Sequence, residues 1–273
     1  MSRILALTIA STLVLTGLGY NIADAAPLNV VYVTHTPDSM TQYTPFLEGI
    51  FGAGNVNSTT GNFVNAHTDG AQQATLEAAD LIIIGRQTTS GDYAAVGEPE
   101  YWNALNVPIL LHSAYLVRAN RLYWLTGGQR GLTSDSLDID APSDPIMAGV
   151  TPVGGEVKIY GASVGYSISS EAGTGILGTI VASDPAAGDN DVVIARWDGT
   201  EANYSSSSDK GGPGNRRIFF ATPDSNDWLS VHMTADGKQM LTNSINYLVV
   251  PEPATMSLLA LGGLAILRRR RRC

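Results

Sequence analysis

Two adjacent residues, His112 and Ser113, close an apolar run, VPILLHS over 107–113. A serine hydroxyl near an imidazole is the minimal pairing for nucleophilic acyl transfer, because the base takes the hydroxyl proton as the oxygen attacks. His35 and His67 also follow strand-like runs, LNVVYVT over 28–34 and NFVNAHT over 62–68. In open α/β sheets ligands sit outside the carboxyl ends of the strands, so three histidines are expected along that edge. Adjacent residues rarely present their side chains to each other, so a base for Ser113 has to come from His35, His67 or His232 by folding. A catalytic site requires convergent geometry and not residue types alone. The sequence therefore favours polar strand-end residues in a crevice without activity over a working catalytic pair.

Other residue groups meet a similar test. Three strand-end histidines could ligate zinc, but no H-E-x-x-H spacing supports this, and neither a metal nor a cofactor is expected. Asp135, Asp138, Asp140 and Asp144 crowd TSDSLDIDAPSDP, while Asp184, Asp189 and Asp191 crowd SDPAAGDNDV. Neither stretch has the ligand spacing of a calcium loop, so solvated acidic loops are expected. Trp102, Trp124, Trp197 and Trp228 could stack on sugars. Their spacing reads more simply as core or half-buried surface.

The elements that must position these residues follow a rhythm. Strand-like runs at 28–34, 62–68, 80–86 (DLIIIGR) and 107–113 alternate with helix-like spacing at 36–54, 71–79 and around Tyr101, Trp102 and Leu105. Continuous apolar runs such as DLIIIGR fit strands buried on both faces of a parallel sheet. The second half differs. EVKIYGASVGYSIS, GILGTIVASD and DVVIARWDG are β-rich with little helix between them, and they predict an antiparallel insertion. RRIFFATPD then reads as another core strand. TADGKQMLTNSINYLVV reads as a closing helix, with Thr234 or Asp236 as N-cap. The fold class expected is α/β: a flavodoxin-like three-layer domain over 27–250, with a mostly parallel sheet and a β-rich insertion in its second half.

Charge and cysteine narrow the function classes. The net charge is −9 over 273 residues. Without the two ends, the span 27–250 carries a net charge of about −13. Such a surface repels phosphate backbones, so nucleic acid is excluded as a partner of the domain. The only cysteine is Cys273, the last residue, so the domain has no disulfide and no thiol nucleophile. It must stand on its hydrophobic core.

Both termini read as processing segments. MSRILALTIASTLVLTGLGYNIADAAP opens with Arg3, continues with an apolar stretch and ends in Ala23-Asp24-Ala25. That is a secretory signal peptide over 1–25, cleaved by signal peptidase after Ala25. At the other end, 251–273, stand Pro251, Glu252 and Pro253, an apolar segment over 254–267, and Arg268, Arg269, Arg270, Arg271 and Arg272. A helix of this length covers about 21 Å, short of a ~30 Å hydrocarbon core. Snorkelling flanks could still lodge it in a membrane, with the arginines on the cytoplasmic side.

This tail resembles the PEP-CTERM sorting signal of Gram-negative bacteria. The resemblance implies an exosortase-type transpeptidase that recognises Pro-Glu-Pro and removes the tail. It implies transient residence in the inner membrane, then release or attachment at the surface, typically in cells that make exopolysaccharide. The middle of the chain resembles ThuA-like proteins of the class I glutamine amidotransferase-like fold. DLIIIG, VPILLHSAYLVRA, SDPIMAGV and the segment from RRIFFATPD to the closing helix carry that resemblance. An amidotransferase needs a cysteine at the turn where this chain has Leu111-His112-Ser113-Ala114-Tyr115, and a His-x-Glu later. Both are missing, as is any Gly-x-Ser-x-Gly elbow. The expectation is an exported, non-catalytic surface or matrix protein with a binding role linked to exopolysaccharide. The competing expectation is a secreted hydrolase acting on carbohydrate or amide bonds near His112 and Ser113.

Overall fold

The computed structural model describes residues 26–170, 176–185 and 191–249. The segments expected as signal peptide and sorting tail, with their apolar stretches, lie outside these residues. In chain order the strands are β1 (Leu28–Val33), β2 (Val56–Gly61), β3 (Leu81–Ile84), β4 (Ile109–Leu111), β5 (Gly128–Ser134), β6 (Ser136–Ile139), β7 (Glu156–Lys158), β8 (Val164–Ser170), β9 (Thr179–Ser183), β10 (Asp191–Trp197) and β11 (Arg217–Phe220). The helices are α1 (Tyr43–Phe51), α2 (Gly70–Glu77), α3 (Glu98–Ala104), α4 (Ala114–Val117) and α5 (Ala235–Val249).

The strands form one mixed sheet in the order β2-β1-β3-β4-β11-β10-β9-β6-β7, with β8 pairing to β10 and β5. From β2 to β11 every pairing is parallel. From β11 outward every pairing is antiparallel. The division follows the sequence. LIII of β3, ILL of β4 and RIFF of β11 are buried at every position, which requires cover on both faces and makes the sheet the middle of three layers. The β-rich second half supplies the antiparallel strands, and β11 returns to the centre beside β4.

Two local expectations are corrected. The strand predicted over 62–68 forms earlier, at β2, whose VNSTTG is mostly exposed at the sheet edge. The stretch after it turns instead: Asn65 has φ 59°, and its carbonyl accepts from Thr68 and Asp69. Phe63 and Ala66 are buried there without belonging to a strand. TSDSLDIDAPSDP, expected as a solvated loop, instead contains the end of β5 and all of β6, with Leu132 and Leu137 buried on these two strands.

The acidic stretches turn out to bind the second half together. Arg130 on β5 pairs with both Asp184 and Asp191, at the facing ends of β9 and β10. Asp144 accepts from Arg196 Nε at 2.6 Å and from the Ile146 amide at 2.9 Å. Asp135 meets Lys158 at 2.7 Å. These carboxylates are held by the chain's own cations.

All four tryptophans are buried. Trp124 stacks on Tyr204 with centroids 5.1 Å apart, and Trp197 meets both edge-on. Arg217, also fully buried, sends its guanidinium into the carbonyls of Val107 and Leu105 at 2.6 Å each and of Asn103 at 3.3 Å. Its planar fork thus caps the backbone where α3 turns into β4. Thr234 is the N-cap of α5, its Oγ1 accepting the Gly237 amide at 3.0 Å. Gly237 packs against β7's continuation so closely that a Cβ there would stand 2.5 Å from the Ile159 carbonyl oxygen.

Candidate functional site

His112 follows β4 directly, its amide bonded to the Ile84 carbonyl at 2.9 Å, and so stands at the carboxyl end of the central parallel strands. The side chain is buried. Its Nδ1 lies 2.7 Å from the Phe220 carbonyl oxygen at the end of β11. A carbonyl only accepts, so Nδ1 carries the proton and Nε2 presents a lone pair. That lone pair accepts the hydroxyl of Tyr43, from α1. Burial among Tyr43, Trp228 and Phe220, at centroid distances of 5.6, 5.6 and 6.3 Å, disfavours the charged ring. Its pKa falls from near 6.5 to about 4, burial outweighing the opposing effect of the Phe220 carbonyl. The Tyr43 hydroxyl is pushed well above its usual range, also by burial.

Trp228 covers this ring from a π-helical turn, Trp228–His232. The space left beside Met40, Tyr43, His112, Thr222 and Trp228 is about 10 Å³. That is room for about one water molecule and not for a substrate.

Ser113 is buried, and its Oγ has no hydrogen-bond partner. Both nitrogens of the neighbouring imidazole are already engaged with other groups, so the pair forms no nucleophile–base couple in this conformation. His35 is exposed, its Nδ1 3.3 Å from the side-chain Nδ2 of Asn62. His67 bonds through Nδ1 to Glu98 Oε2 at 2.5 Å. Glu98 is itself buried, and it also accepts from the Ala66 and His67 amides and from Trp102 Nε1 at 2.8 Å. That carboxylate clamps the turn after β2 onto α3. His232 is half exposed, 3.8 Å from Asp227. The histidines thus each have their own partners. Among the described residues no three of His, Cys, Asp or Glu gather as metal ligands.

Sequence reasoning passed over Tyr43 and a second group at the same edge. Arg86 follows β3, and its guanidinium carbon lies 4.7 Å from the centroid of the Tyr115 ring on α4. Arg118, just past α4, approaches that ring to 5.7 Å. The signal available was position alone: Arg86 and Tyr115 stand two and four residues beyond buried strands that the apolar pattern identifies.

Among curated proteins, none matches this chain. A solved structure, described as that of a thua-like protein from Bacteroides uniformis, is 11% identical to this chain with a TM-score of 0.49. The similarity covers 84% of this chain and 94% of that one. Residues 249–272 match the family model of the PEP-CTERM protein-sorting motif. The end of the chain thus carries the sorting motif that its Pro-Glu-Pro, apolar and arginine segments announce, the mark of an exported protein handled by an exosortase.

Proposed function

We propose that this chain is exported through its N-terminal signal and held briefly in the inner membrane by 254–267. An exosortase-type transpeptidase then cuts it near 250–253 and leaves it at the cell surface or in the extracellular matrix. There the α/β domain acts by binding, with exopolysaccharide as the partner class. The observation that carries this reading is the match to the sorting motif over 249–272. The geometry around His112 supports a non-catalytic domain. The imidazole is neutral, doubly hydrogen-bonded and sealed under Trp228, and Ser113 has no base in contact.

Intact-mass measurement of the protein collected outside the cell tests the processing. The expected mass begins after Ala25 and ends within 250–253. A mass that retains the five arginines and Cys273 overturns it. Replacing Pro251, Glu252 and Pro253 by alanine should leave the chain in the membrane fraction. Co-sedimentation of the mature protein with polysaccharide from the producing cells tests the partner class, and failure to co-sediment removes it.

A further inference from the structure

The cations of this acidic domain divide into two sets. Arg130 and Arg196 hold carboxylates, and Arg217 holds backbone carbonyls. Arg86, Arg118 and Arg121 pair with no carboxylate among the described residues. The Nε of each is buried and without an acceptor, as is that of Arg217, so it is the lack of a carboxylate that sets these three apart from Arg130 and Arg196. A buried donor left unmet is costly, and more so when it is charged. Two of these guanidiniums face one ring, Tyr115. The ring's quadrupole offsets only part of their mutual repulsion. Arg118 in turn stands near enough to Arg121 to oppose its charge. What else they touch is neutral: Ser167 accepts from Arg86 at 3.1 Å, Ser90 from Arg118 at 3.5 Å, and the Asn120 carbonyl from Arg121 at 2.6 Å. All three arginines and Tyr115 remain partly open to solvent.

The location adds to the electrostatics. Arg86 follows β3 and Tyr115 follows β4, so the cluster lies at the carboxyl ends of two central parallel strands, where open α/β sheets take their ligands. The geometry points to a binding site for a carboxylate-bearing ligand, gripped by Arg86 and Arg118 across Tyr115, with Arg121 adding to the local positive potential. A guanidinium fork matches a planar carboxylate with two parallel hydrogen bonds. A phosphate cradle has less support. α4 is a four-residue turn and offers no helix terminus, and Lys158 and Lys210 are committed to Asp135 and Glu100. The carboxylate can belong to a free organic acid or to a uronate unit of an acidic polysaccharide. The site stands on the arginine cluster alone and does not require the polymer-binding role.

Calorimetric titration of the exported protein with oligogalacturonate, galacturonate, citrate and a neutral galactose oligomer tests it. Binding of at least one carboxylate is expected, weakened about tenfold or more by Arg86→Gln and again by Arg118→Gln, each tenfold being 1.4 kcal/mol. Added salt should weaken it further. Preference for oligogalacturonate over galacturonate and citrate assigns the site to a polymer, and the reverse assigns it to a small acid. If no carboxylate binds, or if the variants bind as the parent does, the proposal falls. Should either variant fail to fold, the Nε–H resonances of Arg86 and Arg118 in the parent protein decide. They must shift on carboxylate binding, and unmoved signals in the presence of bound ligand overturn the site. Binding of the neutral oligomer alone also overturns it, while leaving the polymer-binding reading standing.

Discussion

His112 Nδ1 donates to the Phe220 carbonyl across 2.7 Å, joining the ends of two adjacent parallel strands, β4 and β11. That bond fixes the tautomer and turns Nε2 toward Tyr43. Tyr43→Phe removes the donor and leaves a buried nitrogen unmet. The expected loss is about 1–3 kcal/mol of stability, read as a lower urea midpoint at unchanged slope.

The same ring makes stability depend on pH. Its folded pKa of about 4 lies below the ordinary value near 6.5. Between those values the unfolded chain binds the extra proton, so stability rises with pH across that window. The contribution is fully present above pH 6.5 and is lost as pH falls toward 4, a change on the order of 3 kcal/mol. Denaturant titrations at a series of pH values should show this slope. His112→Gln should flatten it, even if the variant starts from a lower stability.

Arg217→Met should be among the more damaging single changes. Three carbonyls, of Asn103, Leu105 and Val107, lose their donor in the interior. A loss of about 3 kcal/mol or more is expected in guanidinium unfolding. Arg217→Lys should recover only part of it, because an ammonium lacks the planar fork.

Much of this architecture is written in apolar runs, and the exceptions have physical causes. β1, β3, β4 and β11 are legible because burial on both faces makes their sequences apolar runs, broken only by exposed Asn29 and by Arg217, whose charge is met by backbone carbonyls. β2 is hidden because an edge strand with exposed side chains needs only backbone pairing, and VNSTTG supplies no apolar signal. The run NFVNAHT imitates a strand because Phe63 and Ala66 are buried, yet Asn65 turns the chain and Glu98 captures its amides. At the site, His112 is visible as a strand-end residue. Its partner Tyr43 is not, because the contact spans 69 residues of sequence. The role of Arg130 is hidden for the same reason, since Asp184 lies 54 residues away.

Arg130→Met tests that last contact. It removes the cation that Asp184 and Asp191 share. Breaking a fully buried pair costs 3–5 kcal/mol, but Arg130 is 40% exposed and solvent screens the change. A loss of about 2 kcal/mol is expected. Added salt should reduce the deficit, because it damps repulsion between the two carboxylates. Thermal melts at low and high ionic strength check both statements.

The position of β11 has a consequence for the order of events in the cell. It completes the parallel sheet from a point 108 residues beyond its neighbour β4, as the span from His112 to Phe220 measures. Loop closure over such a distance is slow, and the pairing of β4 with β11 has to wait for a strand made late in the chain. A polypeptide made amino end first therefore keeps the β11 edge of β4 unpaired until this strand arrives. The topology itself thus places completion of the parallel sheet after synthesis of the antiparallel half.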